Sequence, residues 1–402
     1  MIKLSTSLLF LGLLNFAQGQ TNTLPKPSGE YLTGVAYLNF VDESRKELFD
    51  GSGRSYREMT VKAWYPSDRQ SEPEPYLLKA EAEFAMKYLQ FPPLYKDLKT
   101  NAGRDLPVSS KDNKYPILIF SHGWGEHFSQ NTILMEELAS HGYIVFSIAH
   151  HYECKFSSYP DGRFIYIDMG NPRFQKMWKE QMSAAALGHY EKLKKAASDE
   201  ERKKVFLDMS TTLPMLTESS KYWAEDIAFL IDRLKIMNGG DNRFQNKLDL
   251  DRIGVFGMSM GGLATSVICS TDGRIKAGVN MDGAFPVASI HGKYQTPYMY
   301  LNSKRGLGCG QLFISQSTRD CYSLSVKGSD HYNFTDYSVC PVPMVRFLLG
   351  PIDGKRTIEM MNVLVLAFFD KYVNGMGEID LVKAAGKYPE IEISAYLKTR
   401  GR

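Results

Sequence analysis

The sequence predicts an α/β fold, with a mostly parallel central sheet, helices on both faces and an inserted helical cap. Three observations predict it. Short apolar runs alternate with helical stretches along most of the chain. The runs ILIF (117–120) and YIVFSIAH (143–150) show no polar alternation, as expected of strands covered on both faces. Repeated strand–helix units imply parallel strands joined by right-handed crossovers. Residues 155–218 break that rhythm with a charged helical run, EKLKKAASDEERKK, and supply the cap.

The elements follow in order. Residues 1–19 read as a signal peptide: Lys3, an apolar run from Leu8 to Phe16, then Ala17, Gln18 and Gly19 before the expected cleavage. The run is too short for a permanent membrane span, so a secreted or periplasmic protein is expected, with residues 20–402 forming one catalytic domain. Residues 31–41 and 57–66 read as antiparallel strands at a sheet edge, joined by a polar turn. A helix within 74–95 ends at Pro92-Pro93. After the cap, YWAEDIAFLIDRLKIM (222–237) is a periodic helix stopped by Asn238-Gly239-Gly240. Strands at 252–256, 277–282 and 297–303 follow, with a helix at 260–270 and a last helix near 356–373.

Composition narrows the function. Lys plus Arg is 48 against 45 for Asp plus Glu, so there is no basic footprint for nucleic acid. There are five cysteines, and no Cys/His spacing resembles a metal site. Export would permit disulfides. One bridge among Cys309, Cys321 and Cys340 and buried free thiols are equal alternatives. The sequence is silent on oligomeric state.

The stretch RIGVFGMSMGG (252–262) carries the chemistry. It is G-x-S-x-G placed between a buried strand and a helix, the sharp turn that exposes a nucleophilic serine in the α/β-hydrolase fold. Ser259 is the expected nucleophile. A serine hydroxyl needs a base, and in this topology the acid and the histidine follow the serine. Asp282 closes the next strand, AGVNMD (277–282). Of the two later histidines, only His331 follows the strand at 297–303; His291 precedes it. Ser259, Asp282 and His331 are therefore the expected triad, with Asp330 the rival acid. The attacked carbonyl needs main-chain donors for its oxyanion. Met260, after the nucleophile, and Trp124, in the loop SHGWG (121–125), are expected to provide them. His122 is expected to fix that loop. Met258 and Phe285, with Trp124 and Met260, are expected to line an apolar pocket.

These residues resemble the platelet-activating factor acetylhydrolases. The likeness runs through AWYP (63–66), ILIFSHGWG (117–125), LASHGYIV (138–145), AEDIAFLIDRL (224–234), IGVFGMSMGG (253–262), NMDGAFP (280–286) and HYNFTDYS (331–338). The resemblance implies a calcium-independent serine esterase without cofactor, removing acetyl or other short acyl groups from the sn-2 position of phospholipids. It implies the same triad and matches Trp124 and Met260 to the oxyanion positions. Where the family commonly has histidine before the nucleophile, this chain has Met258. A broader carboxylesterase or polyester hydrolase is the alternative from the same machinery, and a non-catalytic binding protein a third. The partner in the first two readings is a small lipid or ester, with transient membrane-surface contact left open.

Overall fold

The structure is a computed structural model that describes residues 22–303 and 308–398. The expected signal peptide at 1–19 lies outside the described residues. Strands β1 (Leu32–Lys46) and β2 (Tyr56–Ser67) pair antiparallel from Leu32↔Ser67 onward. They do not end the sheet, because β3 (Pro73–Pro75) and β4 (Lys99–Arg104) add beyond β1. The short, polar β4, KTNAGR, carries no apolar pattern that would announce a strand. Between them, α1 (Lys79–Tyr88) stops short of the two prolines.

The parallel heart follows. β5 (Tyr115–Ser121), α2 (Thr132–Ser140) and β6 (Ile144–Ala149) form the first unit. Residues 155–218 then hold the small hairpin β7 (Phe156–Ser158) and β8 (Phe164–Tyr166), with α3 (Pro172–Gln181), α4 (Ala184–Lys195) and α5 (Asp199–Thr212). Helix α6 (Pro214–Gly239) begins earlier than its periodic part suggests, with Pro214 at its first position, where a missing N–H costs nothing.

β9 (Leu248–Met258), α7 (Met260–Thr271), β10 (Ile275–Met281) and β11 (Tyr298–Ser303) resume the alternation. α8 (Cys309–Gln316), β12 (Cys321–Val326), α9 (Gly354–Tyr372), α10 (Leu381–Ala385) and β13 (Ile391–Tyr396) complete the chain. Among the described residues the sheet has eleven strands in the order β13-β12-β11-β10-β9-β5-β6-β2-β1-β4-β3. β9 sits between β5 and β10 and pairs parallel with both.

The central strands are buried on both faces, which explains their unbroken apolar runs. Ile117, Ile119 and Val255 face Ile227, Leu230 and Leu234 of α6. Leu118, Phe120 and Phe256 face Leu134 and Leu138 of α2 and Val365 and Phe368 of α9. Each such fully buried side chain contributes about 1.5–3 kcal/mol.

All five cysteines are free and buried, so the alternative of a bridge is not taken up. Cys340 packs on the α2/α9 face, whereas Cys309 and Cys321 pack on the opposite one. Burial pushes the thiols of Cys154, Cys309, Cys321 and Cys340 up to about 12, which leaves them protonated and unreactive.

Candidate active site

Ser259 is the single residue between the end of β9 and the start of α7. Its backbone has φ 55° and ψ −114°, a conformation that L residues avoid. Two main-chain bonds hold it there. The Ser259 amide donates to the Met281 carbonyl at 2.8 Å, and its carbonyl accepts the Leu263 amide at 3.0 Å. The turn tolerates no side chain two residues to either side. A Cβ on Gly261 would lie 2.0 Å from the Ser121 carbonyl oxygen, and one on Gly257 would lie 2.3 Å from the Gly261 carbonyl carbon. Strand and helix therefore touch at backbone distance, and the serine is left partly exposed at the carboxyl rim of the sheet.

Register places the acid next to it. Met281 pairs with Met258, so Asp282 and Ser259 leave neighbouring strands side by side. Asp282 also has φ 55°. Its Oδ1 accepts the Ser303 amide at 2.8 Å, and its Oδ2 lies 2.7 Å from His331 Nδ1. His331 opens a 3-10 turn after β12, and its side chain is about one-third exposed, at 32%, against 7% for Asp282. Among the described residues no other hydrogen bond engages the ring, so Nε2 is left on the side away from the carboxylate. Asp330 instead caps the turn, accepting the His331 main-chain amide at 2.8 Å. His291 is exposed. The structure thus pairs His331 with Asp282 rather than with its adjacent acid.

The loop after β5 faces the same point. A Cβ on Gly123 would stand 3.5 Å from Ser259 Cβ. The amides on either side of Trp124 are occupied: Gly123 donates to Gln130 Oε1 at 2.9 Å and Gly125 to the Glu153 carbonyl at 2.8 Å. The Trp124 amide between them donates to no protein acceptor among the described residues, and neither does that of Met260 at the start of α7. Two such amides on adjacent loops are what a developing oxyanion needs.

His122 fixes this loop from below. Its Nε2 accepts the His150 amide at 3.1 Å, so Nδ1 carries the proton and donates to the Gly123 carbonyl at 2.7 Å. Burial holds its pKa well below the ordinary range, which keeps the ring neutral. The Trp124 ring stacks on Phe174 of α3, with centroids 5.1 Å apart and planes 14° apart, so residues 155–218 also brace the loop.

Of the four residues expected to line the pocket, Phe285 and Met258 separate. Phe285 lines an apolar cleft with Phe206, Met209, Leu213, Leu216 and Leu263, between α5, α6 and α7. Met258 does not line it. The alternation of β9 turns Met258 toward the α2/α9 side of the sheet with Phe256, and it is 1% exposed.

Sequence reasoning missed a buried charge cluster behind the loop that follows β5. Asp226 of α6 accepts from Arg57 at 2.6 Å, from Arg45 at 2.8 Å and from His150 Nδ1 at 2.8 Å. His150 Nε2 lies 3.1 Å from Ser121 Oγ, and the His150 ring stacks on Trp223 at 3.9 Å. The one signal available was the pair His150-His151 closing an apolar strand, where a polar pair demands buried partners.

An eleven-stranded, mostly parallel sheet with a strained serine at a strand–helix elbow and a paired acid and histidine at the same rim defines an α/β-hydrolase, here a carboxylic ester hydrolase. The chain belongs to the family of platelet-activating factor acetylhydrolase, isoform II, whose model matches residues 16–385. A platelet-activating factor acetylhydrolase of Cavia porcellus is 25% identical over 375 residues, covering 87% of this chain and 78% of that protein. That of Canis lupus familiaris is 24% identical, covering 92% and 81%. A ferulic acid esterase from Streptomyces cinnamoneus superposes with a TM-score of 0.70 at 24% identity, over 92% of this chain and 98% of that one.

Proposed function

We propose that the chain removes short acyl groups, acetyl above all, from the sn-2 position of phospholipids, through a Ser259–His331–Asp282 acyl-enzyme. The observation that carries this reading is the 2.7 Å bond between Asp282 and His331 at the strand end beside the strained Ser259. The acetylhydrolase names of the relatives support the substrate class.

Asp282 holds the Nδ1–H tautomer, which leaves Nε2 free as base. His331 takes the Ser259 proton as Oγ attacks the ester carbonyl, and the Trp124 and Met260 amides receive the oxyanion. The protonated imidazole then donates to the leaving alcohol. Water, activated by the same ring, releases the acid and restores the serine.

Asp282→Asn is expected to lower kcat by about 10⁴-fold, because an amide favours the wrong tautomer. Steady-state hydrolysis of p-nitrophenyl acetate measures it, and a loss below tenfold would count against Asp282 as the acid.

The substrate assignment is tested with acetyl, butyryl and long-chain sn-2 phospholipids beside aryl esters of the same acyl lengths. The proposal expects the highest kcat/KM on the acetyl phospholipid. Equal rates on all acetyl esters would instead favour a general carboxylesterase or polyester hydrolase. Export is proposed on the apolar run Leu8–Phe16, and the amino terminus of the mature protein, expected at Gln20, checks it. Among the described residues no helix is long and apolar enough to cross a membrane.

A further inference from the structure

One buried carboxylate outside the triad joins the two loops that must meet over the ester. Glu126 lies just past the oxyanion loop and is 3% exposed. Its amide donates to the Gly123 carbonyl at 3.0 Å, and its carbonyl accepts the Lys155 amide at 2.8 Å. Its Oε1 accepts from Lys155 Nζ at 2.6 Å and from the Tyr332 hydroxyl at 2.9 Å. Its Oε2 accepts from the Tyr337 hydroxyl at 2.9 Å. Tyr332 directly follows His331.

The surrounding bonds run the same way. Gln130 accepts the Gly123 amide on its side chain and the Asp336 amide, at 2.9 Å, on its carbonyl. Asn131 Nδ2 donates to the Phe334 carbonyl at 2.7 Å. Residues 123–131 are thus stitched to residues 331–337 at several points, and among their described bonds only Glu126 engages both Tyr332 of the histidine turn and Tyr337 of the turn after it. Neither segment belongs to the sheet, so strand register cannot set their separation.

We infer that Glu126 is a positioning residue that holds the loop bearing the Trp124 amide and the turn bearing His331 at a fixed spacing. Base and oxyanion donor then converge on one carbonyl carbon. The carboxylate suits this task because its two oxygens can take charge-assisted bonds from several donors without losing any to water. Misplacement of a catalytic group by about 1 Å costs about 100-fold in rate.

The inference rests on the proposed triad, and the test separates the two. Full-length protein is titrated with a fluorophosphonate, so that kcat on p-nitrophenyl acetate is expressed per competent serine. Glu126→Ala is expected to lower that kcat about 100-fold with KM changed less than about twofold. Tyr332→Phe, which removes one bond and keeps the ring, is expected to lose about tenfold. The double variant should lose about 100-fold rather than 1,000-fold, since Tyr332 would act through Glu126. Lys155→Met removes the ion pair and a 3.4 Å bond to the Tyr337 hydroxyl but leaves both tyrosine–carboxylate bonds, and should cost less than about threefold. If Glu126→Ala does not fold, Tyr332→Phe combined with Tyr337→Phe reads the same link and should lose at least tenfold. Unchanged kcat per titrated serine in these variants would overturn the inference while the triad stood. Fluorophosphonate labelling that survives Ser259→Ala would overturn the triad itself.

Discussion

Ser259→Ala is expected to lower kcat for ester hydrolysis by about 10⁶-fold, the loss seen when a serine triad loses its nucleophile. The reason lies in how much of the local structure serves that one hydroxyl. The backbone at 259 is held in a disfavoured conformation by bonds to Met281 and Leu263. Gly257 and Gly261 give up side chains so that the elbow can close. His331 and Asp282 are already paired at 2.7 Å before any substrate arrives. Without the hydroxyl, the proposed oxyanion donors, the Trp124 and Met260 amides, would still polarise a carbonyl, so a remnant of about 10³–10⁴-fold over water should persist. Labelling by a fluorophosphonate should vanish. Retention of either label or rate would reject Ser259 as nucleophile.

Asp226→Asn is expected to cost about 3–5 kcal/mol of stability, by leaving a buried guanidinium short of its counter-charge. The Arg57 and Asp226 side chains are fully buried, and Glu47, which accepts from Arg57 at 2.9 Å, remains as sole carboxylate partner. Burial alone would push the Asp226 carboxyl up. The charge of Arg57 and the hydrogen bond from His150 outweigh burial and hold it well below the ordinary carboxylate range. A depressed carboxylate contributes stability above its unfolded value of about 4 and loses it as pH falls toward the folded value.

Two histidines of the same cluster add a second acid-sensitive window. Burial pushes His150 down to about 4 and His151 to about 3. Below about pH 6.5 the unfolded chain binds protons that these folded rings refuse, so stability falls with pH from there. Denaturant midpoints from pH 8 to 4 measure the histidine window, and midpoints from pH 4 to 2 that of the carboxylate. The wild type should weaken progressively on acidification, and Asp226→Asn should start far lower at pH 7. An Asp226→Asn midpoint equal to wild type at pH 7 would contradict the account.

The contrast between this cluster and the proposed triad shows what the sequence could reveal. The elbow at Ser259 and the pairing of Asp282 with His331 were legible because chain order, strand ends and small flanking residues constrain each of them in one dimension. Central strands such as β5 and β6 were legible because burial on both faces writes an unbroken apolar run. Polar β4 and the terminal strand β13, mostly exposed, carry no such pattern and take their conformation from the strand beside them. Asp226 sits inside a periodic helix, where a lone acid ordinarily faces water. Its partner Arg57 comes from a strand 169 residues away, and only the folded chain brings them together. Met258 misled for a related reason. Its place beside the serine suggests substrate contact, yet strand alternation sends its side chain to the core.

The buried thiols have a practical consequence. No native cross-link ties the chain, and its five sulfur atoms are all shielded from solvent. A cysteine introduced at an exposed site such as Lys204 or Glu378 would be the lone reactive handle. A dye, spin label or solid support could then be attached at a chosen spot without first silencing the natural residues.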